Sequence, residues 1–202
     1  MPTERFHRLP EEKKKAICDA AMKEFIRVPY DKASINRMIQ SAEISRGSFY
    51  TYFEDKEDVL SFILQDARAK GKALAIEILK QNQGDIWITL KELLEQGILY
   101  CSNHDMYRLY RNIAIYPEAE EIIHREYDDG SNTEYGWVSD YIDASQFKNQ
   151  SPETIGDIIS VGMGILGESI GQFYMDDTRV EEVKKTFSRR LELLKHGACK
   201  EN

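Results

Sequence analysis

The chain has 202 residues, 42% of them hydrophobic, and a formal net charge of −8. That length suits one or two domains, and the composition supports an ordinary packed core. The acidity argues at first against a nucleic-acid binder, but it is uneven. Residues 1–56 hold 11 Lys and Arg against 9 Asp and Glu, a balance of +2, while residues 57–202 hold 16 against 26, a balance of −10. A near-neutral head on an acidic body can still offer one face to DNA.

Helical periodicity runs through the chain, with no alternating pattern of the kind a strand needs. Pro10 suits the first turn of a helix that carries Ala16, Ile17, Ala20, Ala21 and Phe25 at helical spacing and stops at Pro29. Ser34 is placed to cap a second helix, with Ile35, Met38, Ile39 and Ala42 along one face. Ser45 caps a short third helix containing Phe49, after a gap of about three residues, the turn length of a helix-turn-helix. Asp55 caps a fourth helix, expected over 55–80, with Asp58 where an acid suits the helix dipole. Residues 81–85 break the pattern and a helix is expected over 86–101. Ser102 to Asp105 reads as a polar break, Pro117 as an interruption, Asp128 to Asn132 as a loop, and 133–142 as helical. After the breaker at Asn149 to Pro152, two long helices are expected at about 153–175 and 179–196, joined at Asp176-Asp177.

Several other chemistries find little support. The start lacks the apolar run of a secretory leader, and the stretch 155–174 contains Asp157 and Glu168, a poor membrane span. Cys18, Cys101 and Cys199 are far apart and odd in number, which suits a reducing cytoplasm and no disulfide framework. The histidines His7, His104, His124 and His196 are scattered, so no metal and no cofactor is expected. Gly162, Gly164, Gly167 and Gly171 lack the Gly-Lys-Ser/Thr of a phosphate loop and lie in a helical pattern, where small residues let helices approach closely.

The third helix carries the functional signal. In Ser45-Arg46-Gly47-Ser48-Phe49-Tyr50-Thr51-Tyr52-Phe53, the rings at 49 and 53 face a core, leaving Arg46, Gly47, Ser48, Tyr50 and Thr51 for solvent or for DNA. A groove-reading helix needs such a polar, small-residue face with hydroxyls and cations at its ends. Gly47 costs about 1 kcal/mol relative to alanine in a helix, an expense that close approach to a groove wall would offset. Chemistry alone leaves a second reading open, a small solvent-facing helix rich in serine and tyrosine.

The stretch from Ile17 to Leu60 resembles the DNA-binding domain of TetR-type transcriptional regulators. The resemblance rests on Ile17, Ala20, Ala21, Phe25, Tyr30 and Ser34-Ile35, then Ala42, Ile44-Ser45, Gly47, Phe49-Tyr50, Tyr52-Phe53, Lys56-Glu57 and Leu60. It implies an all-α homodimer with a helix-turn-helix head (1–56), a lever helix (55–80) and a helical effector-binding and dimerisation domain (57–202). It implies double-stranded operator DNA and a small-molecule effector as partners, and a regulator, most often a repressor, that is not an enzyme. The alternative is a helical interaction module or an enzyme without DNA binding.

By that resemblance Ser34, Tyr52 and Lys56 meet phosphates, Arg46, Ser48 and Thr51 lie on the groove face, and Tyr50 matches a second family tyrosine. Effector-pocket candidates are Trp87, Tyr107, Tyr110, Trp137 and Tyr141, with Arg111, His124 and Glu168 as polar members. Gly164, Gly167, Gly171 and Phe173 are expected at the dimer interface. Three positions depart from the pattern. Val28-Pro29 replaces a glycine near the end of the first helix, Glu43 stands where the turn often has glycine, and Ile39 where a small alanine is common.

Overall fold

The computed structural model describes residues 2–101, 104–114 and 136–199. Among them the regular elements are helical: α1 (Glu4–His7), α2 (Glu11–Arg27), α3 (Ile35–Ser41), α4 (Arg46–Tyr52), α5 (Lys56–Gln81), α6 (Ile86–Cys101), α7 (His104–Ala114), α8 (Gly136–Ser139), α9 (Pro152–Met175) and α10 (Val180–Ala198). Tight 3-10 turns occur at Tyr30–Lys32, Ala144–Gln146 and Asp177–Arg179. The fold is all-α; an isolated bridge pairs Phe147 with Cys199 without extending into a strand.

Two compact units divide the chain. The first contains α1 to α4, α5 as far as Lys70, and α7. Its core gathers Ile17, Ala21 and Phe25 of α2, Met38 and Ile39 of α3, Phe49 of α4, Leu60 and Leu64 of α5, and Leu109 and Ile113 of α7. Ile39, larger than the expected alanine, is accommodated inside this core at 8% exposure. The second unit contains the rest of α5, then α6, α8, α9 and α10. Its core is built from Leu79, Trp87, Leu90, Leu94, Phe147, Ile159, Leu166, Phe187 and Leu191. Ion pairs tie its exterior, Lys91 to Glu192 at 2.9 Å, Lys184 to Glu95 at 2.7 Å and Arg190 to Glu168 at 2.6 Å. Each is at least partly exposed and contributes little to stability.

Local chemistry sets most helix ends. Ser45 Oγ accepts from the Ser48 N–H, Asp55 from the Asp58 N–H and Ser151 from the Thr154 N–H, so the first-turn donors of α4, α5 and α9 find partners. At Ser34 the structure corrects the sequence reading. The residue is the N-cap of α3, but its side chain makes no capping hydrogen bond. Its carbonyl accepts from Arg37 and Met38, and its N–H donates to Glu24 Oε1 at 3.0 Å. Val28 is extended and Pro29 precedes the 3-10 turn, which is how the chain leaves α2 without the usual glycine.

Gly84, between α5 and α6, has a φ of +85°, and a Cβ there would stand 2.5 Å from the Asp143 nitrogen. Its carbonyl accepts from Asp143 N–H at 3.1 Å, so glycine lets residue 143 close onto this turn. The helix expected over 133–142 is, among the described residues, a single turn at 136–139 followed by non-helical residues 140–142. The break expected at 102–105 is shorter, since α7 begins at His104. Pro117, His124 and the loop expected at 128–132 lie outside the described residues.

Candidate nucleic-acid interface

Helices α3 and α4 are joined by residues 42–45. Glu43 takes a φ of +53°, a left-handed conformation that costs a non-glycine residue about 1–2 kcal/mol. The Ile44 N–H donates to Ile39 O at 3.1 Å and closes the turn. Phe49 and Phe53, at 1% and 0% exposure, anchor α4 to the core. Their burial fixes which side of the helix remains outside. Arg46, Gly47 and Tyr50 are exposed there, while Ser48, Thr51 and Tyr52 are half-buried.

The polar groups on that side already have internal partners. Arg46 Nη1 donates to Asn36 Oδ1 of α3 at 2.6 Å and Nη2 to the Tyr50 hydroxyl at 3.3 Å, so the guanidinium links the two helices. The Ser48 and Ser45 hydroxyls lie 2.8 Å apart. Thr51 Oγ1 donates to Gly47 O at 2.8 Å. Lys56, at the start of α5, donates to the carbonyls of Tyr30 and Asp31 at 2.9 and 3.2 Å, with its ammonium 4.6 Å from the Tyr30 ring centre. Two of its three protons therefore hold the 3-10 turn that leads into α3.

Sequence reasoning missed two parts of this neighbourhood. Glu24 is a carboxylate at 5% exposure on α2. It accepts Arg27 Nε at 2.8 Å and Nη2 at 2.7 Å as well as the Ser34 N–H, and so fixes the start of α3. The Arg27 guanidinium, assisted by the Ser34 N–H, holds the Glu24 carboxyl below its ordinary range against the opposing effect of burial. The second part is α1. Phe6 is fully buried, 4.8 Å from Phe53 and 5.2 Å from Phe62 between ring centres, and the apolar pair Phe6 and Leu9, three apart just upstream of Pro10, was the available signal. An open depression of about 540 Å³ lies beside α4, lined by Thr3, Glu4, Arg5, Arg8, Tyr50 and Thr51.

The expected effector residues divide between the units. Trp87 is a core side chain of the second unit, 2% exposed and 6.1 Å from the Phe147 ring. Trp137 packs at the edge of the same core, and Lys72 and Lys80 place ammonium groups 5.4 and 4.5 Å from the Trp137 and Tyr141 ring centres. Tyr107, Tyr110 and exposed Arg111 are on α7 in the first unit, with Tyr110 against its core. Neither the depression beside α4 nor a hollow of about 30 Å³ lined by Gln172, Arg179, Glu182, Val183 and Thr186 is lined by an expected effector residue. On α9, Gly164 and Glu168 are exposed, Gly167 and Gly171 half-buried, and Phe173 buried within the unit. Among the described residues no group of three or more His, Cys, Asp or Glu could hold a metal ion, and no helix is long and apolar enough to cross a membrane.

Comparison with known proteins places this geometry. Residues 17–61 match the family model described as bacterial regulatory proteins, tetR family, and residues 85–198 match tetracyclin repressor-like, C-terminal domain. No curated protein matches the chain. Among solved structures, a protein of Mesorhizobium loti MAFF303099 assigned to the TetR-family transcriptional regulators is 14% identical with a TM-score of 0.56, covering 94% of this chain and 98% of its own. A TetR-family protein from Shewanella sp. PV-4 is also 14% identical, with a TM-score of 0.53 and coverage of 94% and 99%. A TetR family transcriptional regulator from Chloroflexus aurantiacus J-10-fl is 22% identical over the whole of both chains, with a TM-score of 0.44. At these identities the first two likenesses are of fold. The two family matches cover the helix-turn-helix and more than half of the chain, and the chain therefore belongs to the tetR family of bacterial regulatory proteins, DNA-binding regulators of transcription.

Proposed function

We propose that this regulator is a homodimeric repressor that leaves its operator when a small molecule binds the second unit. The observation that supports the DNA-reading part is the disposition of α4, with two buried phenylalanines on one side and Arg46, Gly47 and Tyr50 exposed on the other. In this reading Arg46, Ser48, Tyr50 and Thr51 face base edges, and Gly47 allows the backbone close to the groove wall. Ser34, whose hydroxyl is not used in capping, Tyr52 and the third proton of Lys56 contact phosphates. The head runs over residues 1–56, α5 is the lever, and residues 57–202 sense and dimerise.

Repression rests on the repressor-like description of the family matched by residues 85–198. Dimerisation is assigned to α9 and α10, where Val161, Met175 and Leu193 are 51%, 55% and 69% exposed alongside exposed Gly164 and half-buried Gly167 and Gly171. For the effector, Trp137 supplies the specific hint. Its indole nitrogen is buried without a hydrogen-bond acceptor among the described residues. A mainly apolar molecule carrying one acceptor would complete it, with Trp87 and Tyr141 of the same unit as further candidates.

The test is selection of operator DNA from a random pool by the full chain, followed by a metabolite and drug screen for release from the selected DNA. Repression predicts that a reporter promoter overlapping the selected site falls silent and recovers with the releasing compound. Failure to enrich any sequence at low salt would refute the DNA-reading assignment.

A further inference from the structure

We propose that α1 is a second DNA-contacting element, in which Arg5 neutralises a backbone phosphate at the edge of the groove entered by α4. The proposal rests on the assignment of α4 as the reading helix and extends the same interface.

DNA binding needs basic groups able to replace counterions at phosphates. Of the basic residues expected at the interface, Arg46 is engaged by Asn36 and Tyr50, and Lys56 donates two protons to backbone carbonyls. Arg5 is exposed and makes no ion pair with any described residue. It shares the depression beside α4 with Tyr50 and Thr51, both on the reading helix.

The placement of Arg5 is built into the fold. The Thr3 N–H donates to Tyr52 O at 2.9 Å, and Thr3 Oγ1 donates to Thr51 O at 2.7 Å. Residue 3 is thereby fastened to the last turn of α4. Phe6, fully buried against Phe53 and Phe62, fastens the other side. Arg5 lies between these two anchors, so its backbone is set relative to α4 before any ligand arrives. A pre-positioned cation loses less conformational freedom on binding than one on a loose arm.

The opposing charge is Glu4, whose carboxylate also lines the depression and pairs with Arg8 at 2.6 Å. Both partners are largely exposed, so the pair is weak and Arg8 offsets the carboxylate where DNA would lie. Arg5 remains as the net positive charge of the depression. A phosphate carries no sequence information, so Arg5 sets affinity and register while α4 reads the bases.

The experiment compares the full-length protein with Arg5→Ala and Arg5→Lys on operator DNA obtained by selection with the unaltered protein. Arg5 is exposed, so both variants should keep the wild-type melting temperature. Expected for Arg5→Ala are weaker binding to selected and unrelated DNA by a similar factor and a salt slope shallower by about 0.9 for each phosphate no longer neutralised. Hydroxyl-radical footprinting should lose protection at the outer edge of each half-site, and Arg5→Lys should restore most of the slope. If wild-type protein binds its selected DNA and Arg5→Ala matches it in slope and footprint, the Arg5 proposal falls while the α4 assignment stands. If wild-type protein enriches no DNA, both fall together.

Discussion

A Cβ added at Gly47 would meet only Ser45 Oγ, at 3.9 Å, so nothing inside the protein requires glycine there. Helix propensity favours alanine at this position by up to about 1 kcal/mol. Gly47→Ala is therefore expected to raise the melting temperature slightly and to weaken operator binding, a divergence that calorimetry and a gel shift on the same sample would reveal. Unchanged affinity would remove the groove-approach role of this residue. Glu24 supports a second test. Its folded pKa lies below the ordinary 4.5 because of Arg27, so its contribution to stability is present above that value and is lost as pH falls through the depressed folded value. Melting temperature should fall on acidification below about pH 4.5, and Glu24→Gln should begin lower at neutral pH and show a shallower acid dependence.

At the scale of elements, α9 carries glycines with opposite roles. A Cβ at Gly162 would stand 2.9 Å from Leu90 Cδ1, so this glycine brings α9 close to α6. At Gly164 and Gly171 a Cβ meets nothing within 4 Å in the protomer. Gly162→Leu should therefore destabilise the second unit itself, by about 1–3 kcal/mol of overpacking. Gly164→Leu should spare the protomer's packing yet lower dimer affinity and, with it, operator binding. Sedimentation and thermal melting separate the two, and a Gly164→Leu dimer of unchanged affinity would move the interface off this face. The small-residue stripe was plain in the sequence, but nothing there divides it, because which glycine faces a neighbour depends on where α6 lies. Caps show the same boundary. Ser45 and Asp55 were legible because their partners lie three residues away. The tie from Ser34 to Glu24 spans ten residues, and no local pattern announces it. Helix α1, only four residues long, is too short for periodicity to declare.

For the molecule as a whole, the all-α class and the helix-turn-helix could be read from spacing and resemblance, whereas the company kept by α7 could not. It lies within the stretch matching the C-terminal family, yet it packs in the first unit, where Leu109 and Ile113 are fully buried. Asn112 Nδ2 donates to Phe25 O at 2.9 Å and to Ile26 O at 3.0 Å, finishing the carbonyl end of α2. Effector coupling in such systems is typically about 1–3 kcal/mol, and with the effector proposed at Trp137, ligand should change the emission of the wild-type protein and much less that of Trp137→Phe. Equal responses would exclude that indole as the site. The Asn112 bond also orders events in time. It joins residues 87 positions apart, and a ribosome supplies them in sequence. At about 5–20 residues per second the interval is roughly 4–17 seconds. Throughout it, the end of α2 and the apolar surface awaiting Leu109 and Ile113 stand open to water and to chaperones. The nascent head therefore completes its fold only after α5 and α6 have been translated, and a message truncated before α7 would yield a head exposed to proteolysis.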